Sequence, residues 1–258
     1  MFWTSARPDN RTLAVVVAGL VLVAWLSIMA WSASPFDRYL HHNSLDEGLS
    51  GGAPAAAAIF VGGWALMIVA MMLPTMYPVL ALYRGVTKGR DDGALLLALC
   101  LAGYLVVWVA FGAAAYVADL GLHEVIERVA WVEQRGWLVS AAVLALAGAY
   151  QFAPLKYRCL DQCRSPRMFV LRHWTGRRER RSSVALGLDS GIFCVGCCWS
   201  LMLLMFAVGA GSIPWMLTLA TVMAIEKNVP WGDQISRPLG AALILAAAVA
   251  LGGRLGAP

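Results

Sequence analysis

The chain has 258 residues, of which 60% are hydrophobic and 14% are charged, with a mean hydropathy of +0.69. A soluble domain carries about 25% charged residues, so this composition excludes an ordinary soluble protein and predicts an integral membrane protein. The net charge of +5 is concentrated in one loop, and no aromatic interleaving there suggests base stacking. This pattern argues against nucleic-acid binding and favours contact with anionic membrane lipid.

Apolar residues fall into seven runs, at about 13–31, 56–82, 94–118, 137–153, 184–209, 213–227 and 239–252. They predict an all-α, polytopic membrane helix bundle and not a barrel, whose strands would alternate apolar and polar residues. We expect about seven transmembrane helices in a single membrane domain over 1–258. Because a helix needs about 20 residues to cross the hydrocarbon core, the short fourth, sixth and seventh runs leave six helices as the alternative.

The second run contains the segment AMMLPTMYP, in which methionines flank Pro74 and Pro78. Proline inside a helix frees backbone carbonyls and bends the helix, and Met71 is predicted to share a face with that bend. Methionine commonly fills gaps in apolar cores, which is the alternative interpretation. As a set, these thioethers fit a pathway for a soft metal ion.

The loops of the predicted bundle differ in charge. Arg84, Lys88 and Arg90 follow the second run, and the segment 154–183 after the fourth run is rich in Lys and Arg. The positive-inside rule places both loops in the cytoplasm. The predicted orientation is therefore N-terminus in and C-terminus out.

The basic loop 154–183 also contains a CxxxC motif, Cys159 and Cys163. An i,i+4 spacing puts both thiols on one side of a short helix. Positive neighbours favour the thiolate, which binds metals and attacks disulfides, whereas a reducing cytoplasm argues against a permanent disulfide. A stray pair on an amphipathic turn is the alternative.

The fifth run holds Cys194, Cys197 and Cys198, followed by Met202. At 100° per residue these sulfurs share one helix face, near the middle of the membrane. Soft sulfur ligands favour Cu(I) over Zn, while the CxxC spacing also suits a redox-active disulfide. Three small buried hydrophobes are the alternative.

Ionisable residues within apolar runs are costly and are usually functional or paired. Glu226, at the end of the sixth run, is expected to pair with Lys156 or with an arginine of the basic loop. Asp189, about one turn before Cys194, is a candidate proton acceptor for the thiols.

The blocks AMMLPTMYP, APLKYRCLDQCRSP and GIFCVGCCWSLMLLMFAVG, with Trp215, Met216 and the Glu226–Lys227 pair, resemble the predicted metal-binding integral membrane proteins, a bacterial family of unknown function. The resemblance covers about residues 60–228 and implies a bacterial inner-membrane protein with a metal role. Carried over by position, the motif residues are Met71, Met72, Pro74, Lys156, Cys159, Cys163, Arg164, Cys194, Cys197, Cys198, Trp199, Met202, Glu226 and Lys227.

We therefore expect a membrane protein that binds a soft transition metal, with Cu(I) favoured over Zn, for capture, delivery or transport. Its predicted partners are membrane lipid and a metal donor or acceptor protein, with no nucleic acid. The predicted metal ligands are Cys159, Cys163, Cys194, Cys197, Cys198, Met202 and Met71. No catalytic residue is assigned; a membrane thiol-disulfide oxidoreductase and a non-catalytic assembly subunit are the alternatives. A single compact site would require the segment after the fourth run to fold back into the bundle.

Overall fold

The computed structural model describes residues 10–33, 52–128, 137–174, 178–208 and 212–255. Within these ranges the chain is all-helical and contains no strand, as the sequence predicts. In chain order the elements are α1 (Arg11–Ser32), α2 (Gly52–Val86), α3 (Gly93–Arg128), α4 (Trp137–Tyr150), α5 (Pro154–Arg164), α6 (Pro166–His173), α7 (Glu179–Val208), α8 (Ile213–Asn228), a short 3-10 helix (Gly232–Ile235) and α9 (Ser236–Leu255).

Five helical segments are long and apolar enough to cross a membrane, namely Arg11–Ser32, Ala57–Val86, Gly93–Leu122, Glu179–Met205 and Gly232–Gly252. A sixth results if α4 and α5, which meet at a bend of 63°, form one broken span. The prediction of seven spanning helices is therefore not confirmed. α8 has 16 residues, or about 24 Å of helix, which is less than the hydrocarbon core of about 30 Å. The predicted orientation, N-terminus in and C-terminus out, stays a prediction. The termini 1–9 and 256–258 lie outside the described residues.

Prolines determine where the helices after the bend begin. Ala153 has an extended backbone, with ψ of 132°, because the residue before a proline is disfavoured in the helical region. Pro154 and Pro166 then start α5 and α6, since the first turn of a helix needs no amide donor. Much of the segment predicted as a basic loop therefore forms two short helices.

Helices α3 and α7 make the most extensive packing contact within the described residues. A Cβ atom added at Gly103 would lie 2.6 Å from the carbonyl oxygen of Val184, and one at Gly191 would lie 2.8 Å from Cβ of Val107. Glycine at these positions lets the two backbones approach closely, as small residues do between membrane helices. Helix α7 also packs against α4 and α5, so it lies at the centre of the molecule.

Polar contacts tie the loop after α2 to the start of α7. Arg90 Nη1 donates to Glu179 Oε1 at 2.7 Å, and the hydroxyl groups of Tyr83 and Ser183 are 2.5 Å apart. Arg90 also donates to the Asp92 carboxylate at 2.9 Å, and this hydrogen bond lowers the pKa of Asp92. The basic segment after α2 and the arginines around the start of α7 therefore lie at the same end of the bundle.

Candidate metal centre

Helices α5 and α7 bring the two predicted cysteine groups together. The Sγ atoms of Cys163 on α5 and Cys197 on α7 are 4.0 Å apart. Cys159 is buried against Gly196, where an added Cβ would lie 2.6 Å from its Sγ atom. The segment after the fourth apolar run has thus folded back into the bundle, which a single compact site requires.

The three cysteines of α7 are almost completely buried, with exposed fractions of 4% or less. The thiols of Cys197 and Cys198 both donate to the carbonyl oxygen of Cys194, at 3.1 and 2.9 Å. The Tyr104 hydroxyl on α3 lies 3.1 Å from Cys194 Sγ. One turn of α7 therefore carries three thiols into the interior of the bundle.

A lysine ammonium group lies among these sulfur atoms. Lys227 Nζ, from the end of α8, donates to Cys194 Sγ at 2.9 Å. It also lies 3.8 Å from both Cys198 Sγ and Met72 Sδ. A positive charge is thus held against thiol groups in a buried environment, where an uncompensated charge is costly.

The neighbouring residue, Glu226, belongs to a separate polar network. Lys156 Nζ is 2.6 Å from Glu226 Oε1, and the two side chains are 0% and 2% exposed. Ser236 also donates to Oε1 at 2.6 Å, and Lys156 contacts Gln151. The predicted pairing of Glu226 with Lys156 is confirmed, and it links α5, which carries the CxxxC motif, to the end of α8.

A small cavity reaches the cysteines from the α5–α6 side. Its volume is about 30 Å³, and its lining includes Cys163, Cys194, Tyr104, Lys227 and Met76. That volume is close to the space occupied by one water molecule. The cavity is therefore large enough for an ion or a water-sized molecule.

No three His, Cys, Asp or Glu side chains within the described ranges already form a metal-binding group. The Cys163–Cys197 pair, however, has a suitable spacing. With metal–sulfur bonds of about 2.3 Å, as in zinc thiolates, a metal between sulfurs 4.0 Å apart would have an S–metal–S angle of roughly 120°. The spacing of these two thiols, which come from separate helices, is thus compatible with one ion between them.

The predicted methionine ligands Met71 and Met202 are both buried, and their role as ligands stays a prediction. The thioether that contacts the thiol cluster through Lys227 belongs to Met72, and Met76 lines the cavity. Asp189, the predicted proton acceptor, forms a pair with His173 Nε2 at 2.7 Å.

A family model described as a copper chaperone, PpoB2, matches residues 61–250, which is most of the chain and includes all six cysteines. The chain belongs to this copper chaperone family. The description of the family indicates that its members handle copper. The buried sulfur-rich centre of this chain agrees with that chemistry. Neither a curated protein nor a solved structure matches the chain.

The contact between Lys227 and the thiols is not predicted from the sequence. Glu226 and Lys227 both stand out as ionisable residues in an apolar run, but a partner is predicted only for Glu226. The signal was available, because two adjacent buried charges on a helix point in different directions, about 100° apart. Tyr104 carries no sequence signal beyond its place in an apolar run.

Proposed function

We propose that this protein is an integral membrane chaperone for Cu(I), which is its cargo. It accepts the ion between Cys163 and Cys197 and holds it within the wider group of Cys159, Cys194 and Cys198. It then delivers the ion to an acceptor protein. Cu(I) is favoured over Zn because a two-thiol pair with nearby thioethers suits a soft ion of low coordination number, whereas structural zinc sites use four ligands.

One observation carries the proposal, namely the distance of 4.0 Å between Cys163 Sγ and Cys197 Sγ. These thiols lie on separate helices and 34 positions apart in the sequence. The copper chaperone family match supports the same cargo.

The membrane setting of the proposal is supported by the five or six helices that are apolar enough to span a bilayer. The basic segment after α2 and the arginines around the start of α7 lie at the same end of the bundle, where Arg90 contacts Glu179. This concentration of positive charge supports a cytoplasmic position for that end. We propose the inner membrane of a bacterium, with anionic lipid at the basic face and Cu(I) entering through the cavity beside Cys163.

The test is a Cu(I) titration of the purified full-length protein under anaerobic, reducing conditions, in competition with a chelator of known affinity. We expect tight binding by the wild-type protein. Cys163→Ser and Cys197→Ser are each expected to weaken binding by at least 100-fold, about 2.7 kcal/mol. Each substitution removes one of the two thiolates that hold the ion.

Cys100→Ser is the matched control, because Cys100 is buried like Cys197 but lies on α3 outside the cluster. Its Cu(I) affinity should equal that of the wild type. Wild-type protein that keeps its free thiols and takes up no Cu(I) would contradict the proposal. So would equal losses of affinity in the control and in the two cluster variants.

The same pair of sulfurs favours a second candidate, a thiol-disulfide oxidoreductase. Sulfurs 4.0 Å apart need to approach by only about 2 Å to reach the length of a disulfide bond. Thiol trapping in cells separates the two functions, because an oxidoreductase would accumulate a Cys163–Cys197 disulfide during turnover. A copper chaperone would keep both thiols reduced.

A further inference from the structure

Within the described residues, the ammonium group of Lys227 contacts sulfur atoms and no carboxylate. The carboxylate next to it in sequence, Glu226, already accepts hydrogen bonds at Oε1 from Lys156 and Ser236. The contacts of Lys227 Nζ are instead with the sulfur atoms of Cys194, Cys198 and Met72. The groups that face this buried cation are therefore the sulfur atoms of the cluster.

The ammonium group lies against three sulfur atoms that could otherwise be ligands of a metal ion. Its distances to the three sulfurs, 2.9 to 3.8 Å, put Nζ in contact with each of them. A divalent ion that gathered Cys194 and Cys198 as ligands would have to displace it.

We infer that Lys227 determines which ions the centre accepts, by limiting it to one monovalent soft cation held by two thiolates. The inference rests on the proposed function and deepens it, since it concerns the charge of the cargo. Lys227 is here a fixed counter-cation and not a ligand.

Charge counting gives the physical reason. A monovalent ion with two thiolates carries one negative charge, which the ammonium group of Lys227 neutralises. A divalent ion with two thiolates is neutral, so the ammonium group would be left uncompensated. In a poorly hydrated interior an uncompensated charge is strongly unfavourable. A divalent ion would need more thiolates, but the ammonium group already contacts Cys194 and Cys198.

The test compares silver(I) with cadmium(II), which are both thiophilic but differ in charge. Dissociation constants for both ions are measured by chelator competition on the full-length protein. The wild type should prefer silver. Lys227→Gln, which removes the charge and keeps a chain of similar length, should shift the ratio of the two constants at least tenfold toward cadmium. Lys227→Arg, which keeps the charge, should restore most of the preference for silver.

An unchanged ratio in a folded Lys227→Gln variant would overturn the inference and leave the proposed function standing. Failure of the wild type to bind either Cu(I) or silver would overturn both. If the Lys227→Gln variant does not fold, the inference can still be tested on the wild-type protein. X-ray absorption of the Cu(I)-loaded protein should give two sulfur neighbours at thiolate bonding distance, and three or four would contradict the inference.

Discussion

Lys156 and Glu226 form an ion pair in the interior of the bundle, with Nζ and Oε1 2.6 Å apart. Such pairs contribute little net stability compared with apolar residues, but removing one partner leaves an unpaired buried charge. The Ser236 hydroxyl, which also donates to Oε1, cannot neutralise Glu226. The pair is therefore best understood as holding α5 in register with α8, so that Cys163 and Lys227 approach the same thiols.

We expect Lys156→Met to lower the free energy of unfolding by about 3 to 5 kcal/mol, because it leaves Glu226 buried without its cation. The double variant Lys156→Met/Glu226→Gln should recover part of this loss. Arg128→Met is the matched control, since its pair with Glu124 has side chains that are 74% and 64% exposed. Exposed pairs contribute at most about 1 kcal/mol. Denaturation in detergent measures all three, and equal losses at Lys156 and Arg128 would contradict this account.

For single residues, the sequence predicts which side chains carry chemistry better than it predicts which side chains they contact. The cysteines stand out because soft ligands recur at helical spacing, and the partner of Glu226 followed from the cost of a buried carboxylate. The Lys227 contact did not follow, because its partner is a group of thiols 29 to 33 positions earlier in the chain. The contact of Lys227 with these thiols depends on the angle at which α8 meets α7. No local sequence pattern encodes that angle.

Helix α5 reaches α7 at a glycine. A Cβ added at Gly196 would lie 2.6 Å from Cys159 Sγ and 3.3 Å from Cys159 Cβ. The sulfur can rotate away, but the Cβ atom moves only with the backbone. The Tyr150 hydroxyl also donates to the Gly196 carbonyl oxygen at 2.5 Å, so α4 restrains the same turn. The absence of a side chain at Gly196 thus sets how closely the CxxxC helix approaches the cysteines of α7.

Gly196→Ala should weaken Cu(I) binding about tenfold, equivalent to about 1.4 kcal/mol, because α5 must move away from α7. Gly62→Ala on α2 is the control, since an added Cβ there has nothing within 4 Å. That change should leave affinity unaltered, and alanine is also the better helix former by about 1 kcal/mol. The affinities are compared by the same chelator competition. If the two variants bind Cu(I) equally well, α5 does not control the site.

The apolar runs predicted that helices form but not how many cross a membrane. All seven runs contain helix, yet α4 ends at Tyr150 and α8 has 16 residues. Composition could not show that α4 and α5 meet at a 63° bend. It also could not show that the basic segment after the bend packs against α7. That packing depends on Gly196 and on the Lys156–Glu226 pair, which are contacts between distant parts of the chain.

Within the described residues, large apolar side chains lie on the outer surface of the bundle as well as in its core, and a few polar groups are buried among the core residues. The buried centre holds thiols, an ion pair and a lysine, whereas large apolar residues on α1, α3 and α9 are widely exposed, such as Val15 at 70%, Val106 at 58% and Val249 at 73%. In water such an apolar surface would drive aggregation. In a bilayer the same surface contacts lipid, and the charged residues inside the bundle are protected from it.

Val106→Lys tests the membrane setting of the whole molecule. Val106 lies near the middle of the candidate span Gly93–Leu122 and is 58% exposed, so a lysine there would face hydrocarbon. Lysine at the centre of a spanning helix costs about 2.5 to 3.5 kcal/mol on insertion scales. We expect a large fall in the protein that stays in membranes after alkaline carbonate extraction, and no fall for Val106→Leu. If the two variants are retained equally, this face of α3 does not contact lipid; a soluble wild-type protein would remove the membrane from the proposed function altogether.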